Sequence, residues 1–179
     1  FNSGTIFCGL VLIIFFVYAI NLTKKYNLIN LNTGILCILF VLIGFSSVDP
    51  NISDLYINGI IMFIFMMLWQ PPHFWLLAQY QADDYKKAGF PVMPLIYGKK
   101  FTNYLIMIYS LSLLPFSLFF WFSGIASNLY AVIAIILGLS FLYIVYKSFT
   151  DSKKYKTAFL YSILYMLLIH LSLILNISI

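Results

Sequence analysis

Between residues 68 and 94 the chain reads LWQPPHFWLLAQYQADDYKKAGFPVMP, and most of the side chains able to do chemistry lie there. The stretch carries an amide at Gln70, an imidazole at His73 and a phenol at Tyr80. Two adjacent carboxylates, Asp83 and Asp84, and two ammonium groups, Lys86 and Lys87, follow. On a helix continuing to about Asp84, a turn of about 100° per residue puts Gln70, His73, Tyr80 and Asp84 within an arc of about 80°. Lys87 sits just beside that arc, and Asp83 points roughly 100° away from Asp84. Two carboxylates next to two lysines suit a divalent cation held together with an anionic group. Hard cations take oxygen ligands, and Mg²⁺ commonly bridges one or two carboxylates to substrate phosphates. Charges at the end of an apolar span also occur as ordinary interfacial ends. The aspartates and lysines alone leave both readings open. His73 and Gln70 lie deeper, where ionisable and polar groups usually face a bundle interior or a wet cavity.

The elements that must position these groups are apolar. The 179 residues are 63% hydrophobic, 20% aromatic and 8% charged, against about a quarter charged in a soluble domain. Apolar runs recur at the length of about 20 residues that spans a bilayer. They are continuous rather than alternating, which selects helices over a barrel. The expectation is an all-α integral membrane protein, one domain over residues 1–179, with six transmembrane helices. These fall near residues 4–20, 34–48, 55–79, 101–123, 129–146 and 158–175. No repeat, linker or second domain interrupts them.

All ten basic residues are lysines, and the net charge is +5. In such a chain this balance speaks to orientation and not to nucleic acid. Lys24 and Lys25 lie in the first connection; Lys86, Lys87, Lys99 and Lys100 lie in the third; Lys147, Lys153, Lys154 and Lys156 lie in the fifth. The second and fourth connections have none. One side of the membrane therefore holds every lysine, and it is expected to be the cytoplasm or the mitochondrial matrix. Cys8 and Cys37 sit inside apolar runs and read as buried thiols. The chain starts at Phe1 without a cationic leader, which suggests a processed chain or a fragment.

Local punctuation adds detail. Pro71 and Pro72 remove two helical donors and predict a bend in the third span. Gly89, enforced by Pro91, is a natural helix stop. Residues 88–95 are too apolar for a solvated loop and read as a cap over the membrane surface. His170, isolated in the last span, reads as a buried hydrogen-bonding residue.

The stretch Trp69-Gln70-x-Pro72-His73-Phe74, with Asp84-Tyr85 and then Ala88-Gly89-x-Pro91-x-Met93-Pro94, resembles the signature of the heme O synthases. These are the protoheme IX farnesyltransferases of the UbiA superfamily of intramembrane prenyltransferases. A weaker resemblance extends over residues 17–44, through Tyr18, Leu22, Lys24, Lys25 and Gly44. The resemblance implies a nine-helix bundle of which this chain holds the last six helices, so that helices bearing a first acidic motif precede Phe1. It implies transfer of a farnesyl group from farnesyl diphosphate to a vinyl group of heme b, giving heme O for heme-copper oxidase biogenesis. By the same resemblance Asp84 and Asp83 hold Mg²⁺, and Lys87, Lys24 and Lys25 contact the diphosphate. Gln70, Tyr80 and Trp69 line the substrate site. His73 is either a contact to heme iron or a propionate, or a core histidine. Implied partners are farnesyl diphosphate, heme b, the lipid bilayer, and heme A synthase or a terminal oxidase in assembly. The implied location is the inner (cytoplasmic) membrane of a bacterium or the mitochondrial inner membrane.

The chain departs from the pattern in places. Leu22-Thr23-Lys24 stands where the family reads Leu-Lys-Arg, and lysine lacks the bidentate fork of arginine. Residues 35–42 are rich in Ile, Leu and Phe where the family is rich in Gly and Ala. The superfamily's spaced pair Asp-x-x-x-Asp is absent, since Lys87 follows Asp83 by four positions. The competing readings are a prenyltransferase acting on a quinone precursor, a non-catalytic heme-binding membrane protein or inactive remnant, and a transporter. The Trp-Gln-x-Pro-His-Phe run favours the heme branch, and the lack of an internal repeat weighs against a transporter.

Overall fold

The structure, a computed structural model, describes residues 53–176, with side chains from residue 61 onward. The first two expected spans, Cys8, Cys37, Lys24 and Lys25 lie outside the described residues. Two compact units divide between Gln70 and Pro71. The described part of the first unit is the start of helix α1 (Ser53–Tyr80). The second unit holds the end of α1, two short helices, α2 (Ala82–Lys87) and α3 (Met93–Ile96), and three long ones. The long helices are α4 (Lys99–Phe122), α5 (Asn128–Thr150) and α6 (Lys154–Leu175).

Four described helices are long and apolar enough to cross a membrane: Ile61–Tyr80 within α1, and α4, α5 and α6. Twenty residues at 1.5 Å each give about 30 Å, the thickness of the hydrocarbon core. The protein is a multi-pass membrane protein. In α4, Lys100 and Trp121 lie about 32 Å apart along the axis, and lysine and tryptophan both favour the membrane–water interface. The outward faces of α5 and α6 carry Leu129, Ile136, Leu139, Leu167 and Ile174, all exposed and suited to lipid.

The inward faces are built differently. α4 buries Thr102, Ile106, Ser110, Leu113, Ser117 and Phe120. α5 buries Tyr130, Ala131, Ala134, Gly138, Phe141, Val145 and Ser148. α6 buries a comparable row that includes Ala158, Ser162, Tyr165 and Ser172. Steps of three and four residues keep each row on one face. Small residues recur because membrane helices gain from packing, not from excluding water, and small side chains let backbones approach. α4 packs on α5, and α5 on α6. At Gly138 an added Cβ would lie 3.0 Å from Leu114 Cδ1, so the glycine sets that approach.

Several hydroxyls on these faces are satisfied inside the bundle. Ser117, Ser148 and Ser172 donate to the carbonyls of Leu114, Val145 and Ile169 at 2.8, 2.7 and 2.9 Å. The Tyr130 hydroxyl crosses from α5 to the Ser117 carbonyl at 3.0 Å. With no water in the hydrocarbon, each such bond removes a penalty that lipid could not relieve.

Two expectations are corrected. The helix expected to continue to about Asp84 ends at Tyr80. Gln81, at φ −106° and ψ 27°, leaves helical geometry, although its N–H still reaches the Leu77 carbonyl at 2.8 Å. Its own carbonyl then accepts from Asp84 and Tyr85 N–H at 3.1 Å and starts α2 in a new phase. The expected face therefore stops at Tyr80, and Asp84 does not continue it. The last two spans are also longer than their hydropathy suggests. α5 runs on to Thr150 and α6 begins at Lys154, which leaves only Asp151, Ser152 and Lys153 between them. Hydropathy marks where the chain leaves hydrocarbon, while backbone hydrogen bonding carries the helix beyond it. α1 contains both Pro71 and Pro72 within its helical run, which is compatible with the expected bend.

The expected stop at Gly89 is observed. Phe90 N–H bonds to the Tyr85 carbonyl at 3.0 Å and Gly89 N–H to the Lys86 carbonyl at 3.2 Å, with Gly89 at φ +71°. This paired closure needs a left-handed residue, which glycine adopts without Cβ strain. The residues after it bury Val92 and Pro94.

Replacing Gly138 by valine should destabilise the bundle by about 1–3 kcal/mol, because the added carbons meet Leu114. Thermal denaturation in detergent measures this. A variant as stable as the parent would show that α4 and α5 are not held at this separation.

Candidate functional site

Two lysine-bearing connections, far apart in sequence, meet at one end of the second unit. The end of α1, the start of α2, the start of α4 and the α5–α6 turn enclose a cavity of about 390 Å³. Small-molecule sites span about 300–1,000 Å³. Gln79, Tyr80, Ala82 and Asp83 line it together with Lys99, Ser152, Lys153 and Lys156.

A hydrogen-bonded knot beside the cavity holds three helices in register. Gln79, on α1, is buried. Its Nε2 donates to the Lys99 carbonyl at 3.2 Å and to Asn103 Oδ1 at 2.9 Å. The Tyr155 hydroxyl, on α6, donates to the same Asn103 oxygen at 2.9 Å. α1, α4 and α6 are thus tied at the level where α1 ends. Gln79 Oε1 is buried with no hydrogen-bond partner.

The turn at Gln81 decides which aspartate enters. Asp83 lines the cavity. Asp84 is exposed and faces Lys87 along α2, with Nζ to Oδ1 at 3.9 Å. An ion pair this exposed adds little stability. Tyr85, on the same helix, is half-buried, and burial pushes its phenol up from the ordinary value. It stays neutral at physiological pH and adds no negative charge here. Lys156 Nζ lies 5.8 Å from the centre of the Tyr80 ring, within cation–π range.

His73 lies about two turns before Tyr80 on α1. The Ser162 hydroxyl donates to the Phe159 carbonyl at 2.6 Å, so its oxygen accepts from His73 Nδ1–H at 2.7 Å. The ring stacks on Phe159 at 4.9 Å and meets Phe74 edge-on at 5.4 Å. α6 therefore orients the imidazole. Trp69 and Gln70, in the first unit, are buried. His170 donates from Nδ1 to the Met166 carbonyl at 2.8 Å, within its own helix.

Of the expected site residues, the cavity brings together Tyr80 and Asp83. Asp84 and Lys87 pair with each other beside it. Sequence reasoning missed Gln79, Asn103, Tyr155 and Ser162, which hold the site, and Lys99, Lys153 and Lys156, which line it. The signal for the lysines was available, because the two connections had been placed on one side of the membrane. The other four carried none, since single polar residues in apolar spans do not announce their partners.

Changing Tyr155 to phenylalanine removes one bond of the knot at nearly constant shape. The expected cost is about 0.6 kcal/mol and at most about 1.7 kcal/mol, the range for hydrogen bonds between membrane helices. Reversible unfolding in mixed detergent micelles measures it. No loss of stability would mean that the Asn103 contact holds nothing together.

The chain matches the UbiA prenyltransferase family over residues 1–171. It is 41% identical over 127 residues to the protoheme IX farnesyltransferase of Geotalea uraniireducens (strain Rf4), covering 71% of this chain and 48% of that one. It is 36% identical over 151 residues to the protoheme IX farnesyltransferase of Aquifex aeolicus (strain VF5), covering 84% and 51%. The protein of the same name from Rickettsia bellii (strain OSU 85-389) is 41% identical over 134 residues, covering 73% and 44%. The chain spans about half the length of the curated relatives it matches. No solved structure matches it. The expected resemblance therefore holds, and the chain belongs to the UbiA prenyltransferase family.

Proposed function

We propose that the protein to which this chain belongs transfers the farnesyl group of farnesyl diphosphate to a vinyl carbon of heme b, making heme O. The observation that carries this reading is the cavity, which Asp83 and three lysines line together at one end of an apolar bundle. Relatives named protoheme IX farnesyltransferase support the heme branch over a quinone precursor.

The reaction breaks the farnesyl C1–O bond, the vinyl π bond and one O–H bond of water, and it forms a C–C and a C–O bond while the proton is released. The C1–O bond of the farnesyl group breaks, and its electron pair leaves with the diphosphate. The vinyl group attacks the allylic cation, and water adds to the carbon left positive, losing a proton to give the hydroxyethyl arm. The barrier lies in charge developing on the leaving oxygen, which fixed positive groups in a dry site stabilise. Lysines at the cavity face the diphosphate and hold it at the bundle end, while the prenyl chain runs along the apolar helices. His73, oriented by Ser162, faces heme, and Trp69, Gln70 and Tyr80 line its path.

Mg²⁺ fits the donors present. Asp83 offers a carboxylate, and Gln79 Oε1, without a hydrogen-bond partner, offers an oxygen beside it. Mg²⁺ commonly takes one or two carboxylates and completes its shell with substrate phosphates. Asp83 would hold it, with Asp84 adjacent, and it would neutralise charge on the leaving diphosphate. Lys24, Lys25 and Lys87 complete the proposed contacts. The lysine-rich end would face the cytoplasm of a bacterium, or the matrix in a mitochondrion, with the bundle in the inner membrane. The heme O would pass to heme A synthase or to a terminal oxidase in assembly.

The intact gene product, assayed with heme b, farnesyl diphosphate and Mg²⁺, should form heme O. Asp83→Asn should lower the rate about 10²–10³-fold and by more than Asp84→Asn, with membrane insertion unchanged. A normal rate in Asp83→Asn, or the reverse ranking, would move the site off Asp83.

A second prediction concerns His73→Ala, which should reduce the heme retained on purification. Unchanged heme absorbance would leave His73 as a packing residue.

A further inference from the structure

We infer that Lys99, Lys153 and Lys156 form a phosphate-binding subsite in the cavity that Asp83 also lines, so that the turn between α5 and α6 belongs to the diphosphate site. This rests on the reading above and extends it, since the acidic stretch and this turn are some seventy residues apart in the chain.

The geometry asks for an anion. Three lysines line the cavity with one aspartate. Like charges brought together from separate connections are unfavourable unless something of opposite sign joins them. Among the described residues the ion pairs are Lys87 with Asp84 and Lys154 with Asp151, and neither uses a cavity lysine. The turn is itself shaped to present them. Asp151 Oδ1 accepts from Lys153 N–H at 3.0 Å, and Asp151 Oδ2 lies 3.8 Å from Lys154 Nζ. The one carboxylate of the turn is thereby spent on Lys154, and Lys153 and Lys156 are left facing the cavity. Tyr80 steadies the Lys156 ammonium at the rim. Lys99 is fixed from below, because its carbonyl accepts from buried Gln79. Cations on α4, on α6 and on the turn before it, around a cavity that a carboxylate also lines, make a site for phosphate oxygens and a divalent ion together.

Phosphate oxygens also occur on anionic lipid headgroups, and the test separates the two sources. The probe is inorganic pyrophosphate with Mg²⁺. Its Kd is measured by calorimetry on the intact gene product, in nanodiscs with and without an anionic phospholipid. Removing Lys153 and Lys156 together, as alanines, should weaken binding by about tenfold for each lysine in both kinds of nanodisc. It should also raise the KM for farnesyl diphosphate and leave that for heme b unchanged. Arginine at both positions should restore binding, and Lys154→Ala should leave it unchanged. If the double variant does not fold, Lys153→Gln alone should show its tenfold share. Unchanged pyrophosphate affinity in a folded variant overturns the proposal, as does a loss seen only with anionic lipid. A parent protein that makes heme O while these variants bind pyrophosphate normally removes the subsite and leaves the reaction. Lysine-dependent pyrophosphate binding without heme O formation does the reverse.

Discussion

An amide buried in an apolar helix must find partners within the bundle, and the position of Gln79 governs the rest of this structure. Its Nε2 reaches the Lys99 carbonyl and Asn103 Oδ1, and Tyr155 shares the latter. In lipid, losing such a partner has no aqueous substitute. The knot therefore fixes where α1, α4 and α6 end relative to one another. The chain leaving α1 at Tyr80 must turn at Gln81, and the chain entering α4 must begin beside it. The cavity is the space these ends enclose.

The same constraint explains the division of labour along the helices. Toward the far end, contacts between α4, α5 and α6 involve small residues and hydroxyls bonded to their own helix, as at Ser117 and Ser172. These pack tightly and carry no charge. At the lysine-rich end, side chains cross between helices and charged groups gather. A reaction that separates a diphosphate from an allylic carbon needs both kinds of place: fixed charge for the leaving group and a dry, apolar channel for the chain.

The sequence made the membrane class, the last four spans, the helix stop at Gly89 and the polar character of the stretch legible. Each of these is written in local composition or in one residue's conformational freedom. The phase of Asp83 and Asp84 was not legible. A continuous helix puts Asp84 on the face of His73, and one non-helical residue, Gln81, is enough to bring Asp83 to the cavity instead. Glutamine has no special turn chemistry, so nothing in the letters marked it. The inward faces of α4 to α6 were hidden for another reason. Lipid and protein interior are equally apolar, so hydropathy does not distinguish them, and the buried rows stand out only as small residues at helical spacing. The partners of Gln79 and His73 depend on tertiary packing and could not be read from spacing at all.

The central claim is that the diphosphate sits between Asp83 and the lysines of α4 and the α5–α6 turn. The most direct measurement is a cryo-electron microscopy structure of the intact gene product with Mg²⁺ and a thiodiphosphate analogue of the farnesyl substrate. The account predicts phosphate density in the cavity, within contact of Asp83 and at least two of Lys99, Lys153 and Lys156. Phosphate density bound elsewhere, with these side chains turned to solvent, would contradict it.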